Sequence, residues 1–177
     1  KVVRLDASVR AGEWAAVTVA KPLAAYRETT VGFLGFGQIA RAVTDRLRPS
    51  GFRFLAADPL LDAGAANTLG VELVDPEALV ECADVLSLHA PGTPQTTKFV
   101  NAARLARMKP TAFIVNTARG LLVDEVALTE ALKAGRIAGA ALDVFEVEPL
   151  PAQSPLRAAP NLILTPHIGG STEEAQE

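Results

Sequence analysis

Three side chains in this sequence could do chemistry together. Arg119 follows a buried-looking apolar run, in Thr117-Ala118-Arg119-Gly120. Its planar guanidinium suits two-pronged capture of a carboxylate. Glu148 lies shortly after Asp143 in DVFEVEPL, and His167 stands between Thr165-Pro166 and a pair of glycines, Gly169 and Gly170. The proline fixes φ ahead of the imidazole, and the small residues behind it leave a substrate room to approach. Taken singly, an arginine in a turn is ordinarily a surface residue, an acid before proline is solvated loop, and a lone histidine is structural. Their placement gives them weight: each lies past the carboxyl end of a predicted strand, where open α/β sheets bind ligands.

A second constellation runs from Thr30 to Asp58, TTVGFLGFGQIARAVTDRLRPSGFRFLAAD. It reads as strand, tight glycine turn, helix, strand, acid. Gly35 lets the backbone turn sharply out of the strand. Gly37 has no Cβ, so a pyrophosphate can approach the main chain, and Ala40 is the third small residue that lets the helix pack close to the sheet. The free amides and positive end of that helix face a diphosphate. Asp58, about 20 residues beyond the turn, is placed to accept hydrogen bonds from the adenosine ribose hydroxyls. A carboxylate there repels a 2′-phosphate, and no arginine follows it in Asp58-Pro59-Leu60-Leu61, so NAD is favoured over NADP.

The elements that must hold these residues alternate. Strands are predicted at Val31–Leu34, Phe52–Ala57, Val71–Leu73, Val85–Leu88, Ala112–Val115, Ile137–Leu142 and Leu162–Leu164. Helices are predicted from Ile39 to about Leu47, Ala63 to Leu69, Asp75-Pro76 to about Cys82, Asn101 to Arg107, and Asp124 to about Ala134. Gly70 and Gly135 close two of them. Asp6 to Trp14 reads as a short helix capped by Asp6 or Ser8. Ala15 to Glu28 is either its extension or a loop, and Ser171 with Glu174 matches a capping box. Short continuous apolar strands alternating with helices specify an α/β fold, a Rossmann-type doubly wound parallel sheet with helices on both faces.

Composition narrows the function classes. The chain has 177 residues, 49% of them hydrophobic, and a net charge of −3. That is a globular balance, with no electrostatic case for nucleic acid or an anionic membrane. No apolar run approaches the roughly 20 residues of a membrane helix. Cys82 is the single cysteine, which excludes an internal disulfide and fits a reducing, cytoplasmic setting. Two histidines and one cysteine make no zinc site, and no metal is expected.

GFGQIA, SLHAPGTPQT, FIVNTARGLLVDEVALTEALKAGRIAGAALDVFEVEPL and LILTPHIGGSTEEAQE together resemble the D-isomer-specific 2-hydroxyacid dehydrogenase family, specifically its NAD-binding domain. The closing STEEAQ is most similar to the 3-phosphoglycerate dehydrogenase branch. The resemblance implies interconversion of a D-2-hydroxyacid and its 2-oxoacid with NAD. It implies that Arg119 holds the substrate carboxylate and polarises the C2 oxygen. His167 would take and return the hydroxyl proton, and Glu148 would orient His167 and stabilise its protonated form. Asp143 would bind the nicotinamide carboxamide, Gln38 and Ile39 the pyrophosphate with Gly35 and Gly37, and Asp58 the ribose. Ala90, Pro91 and Thr96 would line the adenosine side, with His89 in the cofactor wall. Gly169 and Gly170 would line the nicotinamide end, and Thr117, Ala118, Arg119 and His167 also belong to the implied cofactor contacts.

Departures from the family pattern are few. Gln38 stands where many relatives carry Arg, which removes one charge contact to the diphosphate. Residues 1–28 are expected to be a crossover helix and linker and 29–177 the Rossmann core. The family's substrate-binding domain, which closes over the substrate, is expected to lie outside this stretch, and a homodimer through the NAD domain is implied. A second reading, an NAD(H)-sensing binding module of the corepressor type without turnover, calls for an aromatic soon after the histidine, where Ile168-Gly169-Gly170-Ser171 stands. A formate dehydrogenase would pair its histidine with an amide, not with an acid such as Glu148.

Overall fold

Seven parallel strands form one sheet in the order β3-β2-β1-β4-β5-β6-β7 in the computed structural model, which describes residues 2–15 and 25–172. The strands are β1 (Thr30–Leu34), β2 (Arg53–Ala57), β3 (Glu72–Leu73), β4 (Val85–Leu88), β5 (Phe113–Asn116), β6 (Gly139–Leu142) and β7 (Leu162–Leu164). The helices are α1 (Val2–Arg10), α2 (Gln38–Leu47), α3 (Ala63–Thr68), α4 (Pro76–Cys82), α5 (Ala102–Leu105) and α6 (Glu125–Lys133). The order turns at β1, which pairs with β2 on one side and β4 on the other. This is the strand-order reversal at which doubly wound sheets open a ligand crevice.

Helix boundaries follow their local chemistry. Asp75 accepts from the amides of Glu77 and Ala78 ahead of Pro76, and Asp124 accepts from that of Ala127. Each satisfies donors that the first turn leaves free. Gly70 and Gly135 end their helices with positive φ, 66° and 63°. The first helix departs from expectation. It starts at Val2 and ends at Arg10, so Asp6 is not its cap but pairs with Arg10 one turn later. Gly12, at φ 81°, turns the chain before Trp14. Tyr26–Glu28 is a single 3₁₀ turn. The rest of the uncertain Ala15–Glu28 stretch, residues 16–24, lies outside the described residues, as does Glu174 of the expected capping box. The sixth strand pairs only from Gly139, after a buried Ile137.

Two apolar layers hold the sheet. On one side Leu55, Leu79, Leu86, Leu88, Ile114 and Leu128 belong to the larger core. On the other, Val31, Phe33, Phe36, Ala40 and Phe54 pack together. Ala40 and Thr44 of α2 are buried, so the small residue after the glycine turn does bring that helix against the sheet. All strands being parallel, every carboxyl end lies on one edge.

Candidate active site and cofactor crevice

The glycine turn after β1 is built by two different constraints. Gly35 has φ 82°, and a Cβ there would lie 2.8 Å from the Ala90 amide nitrogen. Both the left-handed backbone and the close approach of the loop after β4 therefore require glycine. Gly37 is the opposite case: a Cβ built on it meets nothing within 4 Å. The space beside it is open, and Gly37 caps α2 with no side-chain bond to the first-turn amides. An open approach to free helix amides suits a diphosphate. Asp58 Oδ2 accepts from the Phe36 amide at 2.7 Å and Oδ1 from that of Leu60 at 2.8 Å. These two bonds fix the carboxylate at the end of β2 and leave lone pairs for ribose hydroxyls.

The loop after β4 borders this crevice. His89 is half-buried, its Nε2 lies 2.9 Å from Ser87 Oγ, and its ring sits against Phe33. Burial pushes its pKa down. The side chain is tied into the sheet, away from the arginine and the second histidine. Thr96 donates its hydroxyl to the Pro91 carbonyl at 2.7 Å and receives the Thr93 amide at 2.8 Å. Its oxygen closes the loop on itself. Ala90 is buried against Gly35 and Pro91 is exposed.

Arg119, Glu148 and His167 arrive from β5, β6 and β7 and line one cavity of about 290 Å³. Asn116, fully buried at the end of β5, shapes the arginine turn. Its Nδ2 donates to the Arg119 carbonyl at 2.9 Å and its Oδ1 accepts the Ala118 amide at 3.1 Å. Gly120 lets this turn press onto the next loop, since a Cβ there would fall 1.9 Å from the Phe145 carbonyl carbon. The Arg119 guanidinium donates once, to the Ala118 carbonyl at 2.6 Å, and forms no ion pair among the described residues. The rest of its fork is free for an anion.

Glu148 Oε1 accepts the Phe145 amide at 2.9 Å, and Oε2 meets His167 Nδ1 at 2.7 Å. The bond from His167, then that from Phe145, holds the Glu148 carboxyl below its ordinary range. His167 has φ 55°, a left-handed conformation that costs a non-glycine residue about 1–2 kcal/mol. Asp143, buried at the end of β6, pins the turn that imposes it. Its Oδ1 accepts the Thr165 hydroxyl at 2.5 Å and the Ile168 amide at 3.0 Å, and its Oδ2 accepts the Gly169 amide at 2.8 Å. Desolvation works to raise this carboxyl. The bonds from Thr165, Ile168 and Gly169 outweigh it and hold the pKa down. Gly169 therefore packs on Asp143, while Gly170 stands in open space.

Three positions were not singled out in the sequence. Asn116 and Thr165 hold the arginine and histidine turns, and Leu121 lines the cavity beside Arg119. An Asn closing a buried strand and a Thr ahead of Pro-His are the only sequence signs of the first two. Among the described residues no cluster could hold a metal ion, and no helix is long and apolar enough to cross a membrane.

The chain as a whole is similar to known proteins. Residues 1–169 match the family model described as D-isomer specific 2-hydroxyacid dehydrogenase, NAD binding domain. A D-3-phosphoglycerate dehydrogenase of Synechocystis sp. is 48% identical over 147 residues, covering 83% of this chain and 26% of that protein. A glyoxylate reductase of Korarchaeum cryptofilum is 41% identical over 178 residues, covering 99% of this chain and 54% of the relative. Among solved structures, the NAD-dependent formate dehydrogenase of Staphylococcus aureus in complex with NAD superposes with a TM-score of 0.89 at 34% identity. It covers 99% of this chain and 52% of that one. The chain thus spans between about a quarter and about half of the length of these relatives.

Proposed function

Because the chain belongs to the D-isomer specific 2-hydroxyacid dehydrogenase family, as its NAD-binding domain, we propose that it serves an NAD-dependent enzyme interconverting a D-2-hydroxyacid and its 2-oxoacid. The observation that carries this reading is the 2.7 Å pair of His167 and Glu148 in one cavity with Arg119, which has no ion-pair partner among the described residues. Bound NAD would supply the acceptor for the hydride leaving C2 of the hydroxyacid.

The chain's own residues do the rest. An ionised carboxylate only accepts, so Nδ1 of His167 carries the proton of its bond to Glu148. Nε2 then presents a lone pair, takes the hydroxyl proton during oxidation and returns it during reduction. Arg119 grips the substrate carboxylate with its free N–H groups and, being positive, draws electron density from the C2 oxygen. Asp58 holds the ribose, Gly35, Gly37, Gln38 and Ile39 admit the diphosphate, and Ala90, Pro91 and Thr96 flank the adenosine. Asp143 has one further lone-pair position for the nicotinamide carboxamide after its three internal bonds.

The His167 side chain is 54% exposed. Proton transfer at so wet a site gains from closure, which excludes water and strengthens the electrostatics. Residues 1–177 form one cofactor domain in this reading, and a second domain of the same protein closes over the cavity. D-3-phosphoglycerate is the leading substrate and glyoxylate the next, following the two curated relatives. Two copies associate through this domain, which sedimentation of the protein tests. The deciding experiment is NADH production by the whole protein with 3-phosphoglycerate, lactate, glycerate and 2-hydroxyglutarate, with glyoxylate reduction run in reverse. Turnover with one of them supports the reading. Absence of turnover with all of them, alongside tight NAD binding by calorimetry, favours the sensing module instead.

A further inference from the structure

We propose that Leu121 sets the width of the substrate cavity and that Gly92 gives it the room to do so, an inference that rests on the dehydrogenase reading above. Leu121 directly follows the Arg119-Gly120 turn and lines the same cavity as Arg119, Glu148 and His167. Its backbone is fixed: its carbonyl accepts the Lys98 amide at 2.7 Å, and the next residue, Leu122, is fully buried. The residue is 37% exposed, an apolar surface left on a cavity wall.

Behind that side chain lies the loop that borders the cofactor crevice. A Cβ built on Gly92 would lie 2.9 Å from Leu121 Cδ2, 3.2 Å from Cδ1 and 3.3 Å from Cγ. Those are the three nearest heavy atoms, and all belong to the leucine tip. Gly92 has no positive φ, so what a Cβ there would displace is the movable leucine tip and not the backbone. Leu121 is thus seated in a notch of the cofactor loop with its other flank on the substrate.

The chemistry of that flank names a substrate class. With Arg119 and His167 on the carboxylate and C2, a substituent that runs from C2 past the arginine turn meets the other walls of this cavity. Those walls carry the apolar Leu121, Val144 and Phe145 and the carboxylate of Glu146. An unbranched substituent clears Leu121; a branched or aromatic one meets it. Removing bulk from such a wall shifts discrimination between substrates by about tenfold or more.

The test is a selectivity ratio in the whole enzyme, kcat/KM for 4-methyl-2-oxopentanoate over that for pyruvate, with NADH. Leu121→Ala should raise it at least about tenfold, and Leu121→Phe should lower it. Gly92→Ala pushes the leucine into the cavity and should also lower the ratio. Adding Leu121→Ala to Gly92→Ala should erase that loss, because the two side chains would no longer meet. NAD affinity of Leu121→Ala, measured by calorimetry, should stay within about twofold. Turnover with a ratio unchanged in both Leu121 variants overturns the inference alone. A wild-type enzyme that reduces no 2-oxoacid overturns the functional reading, and this inference with it.

Discussion

Glu148→Gln discriminates between two ways the histidine can be held. In the native site Oε1 accepts from Phe145 at 2.9 Å and Oε2 from His167 Nδ1 at 2.7 Å. Glutamine has one oxygen and one NH₂, so it cannot accept from both. With the oxygen kept on Phe145, the NH₂ donates to Nδ1. The imidazole proton must then move to Nε2, and the base is lost. With the amide reversed, the tautomer survives but two donors face one another at Phe145, at a cost of about 1–3 kcal/mol. The first arrangement leaves every group bonded and should dominate. Turnover in the oxidative direction should therefore fall by about 10²–10⁴, the usual contribution of a general base, with little change in thermal stability. The reversed amide would instead lower the melting temperature by several degrees and spare turnover. Steady-state rates on the whole enzyme and ¹⁵N spectra of the imidazole on this chain read the two outcomes. A variant with native kcat and Nδ1 still protonated would refute the assigned pairing.

Four further outcomes follow from the same geometry. Gly35→Ala combines φ 82° with a 2.8 Å clash against Ala90 backbone and should destabilise the fold by more than about 1–2 kcal/mol. Gly37→Ala meets nothing within 4 Å, so it should melt within a few degrees of wild type yet lose at least about tenfold in NAD affinity by calorimetry. Equal NAD binding by wild type and Gly37→Ala would place the diphosphate elsewhere. Asp143→Ala orphans the Ile168 and Gly169 amides and releases the His167 turn. Nuclear magnetic resonance should then report loss of the His167–Glu148 bond, and turnover should fall about a hundredfold through misplacement alone. Asp75, Asp124, Asp143 and Glu148 are all held below their ordinary carboxyl range. A depressed folded-state pKa contributes stability that is present above the unfolded value, about 4, and lost as pH falls through the folded value. Glu125, raised by burial, works in the opposite sense. The urea midpoint should accordingly fall between about pH 6 and about pH 3, and a flat profile would contradict the assigned carboxylate bonds.

Much of this molecule was legible in its sequence because the deciding interactions are local. Asp75 before Pro76 and Asp124 cap helices that begin where they were predicted to begin, since an N-cap bond spans only two or three residues. The β1–β5 strands begin and end within a residue or so of expectation because short apolar runs between helices have few alternatives. What stayed hidden depends on contacts distant in sequence. Nothing local tells Asp6 that the chain before it is already helical, and so it pairs with Arg10 and does not cap. Asn116 and Thr165 look like ordinary polar residues until β5, β6 and β7 lie side by side. Gly92 reads as a loop glycine until Leu121, nearly thirty positions away, is seen filling its missing side chain. Asp143 could be read as a ligand contact from its place after β6, but not as the acceptor for three donors around His167.

Strand order explains why these pieces cooperate at all. Along the carboxyl edge the sheet runs from β2, which ends on Asp58, through β1 with its glycine turn, across β4 and its loop, to β5, β6 and β7. In the proposed reading these groups follow the order in which a dinucleotide is built: Asp58 for the ribose, the glycine turn for the diphosphate, then the guanidinium, carboxylate and imidazole. Parallel pairing keeps this order rigid, since each step is one strand spacing of about 4.8 Å. Moving the histidine strand to a slot not adjacent to β6 would separate His167 from Glu148 by at least that distance, beyond a hydrogen bond. The order carries a cost in exposure. His167 lies in the turn after the last strand and Glu148 in the loop before it, where their side chains are 54% and 36% exposed. A pair so open can position a proton but cannot keep water from it, which is the role the proposed reading gives to a covering domain.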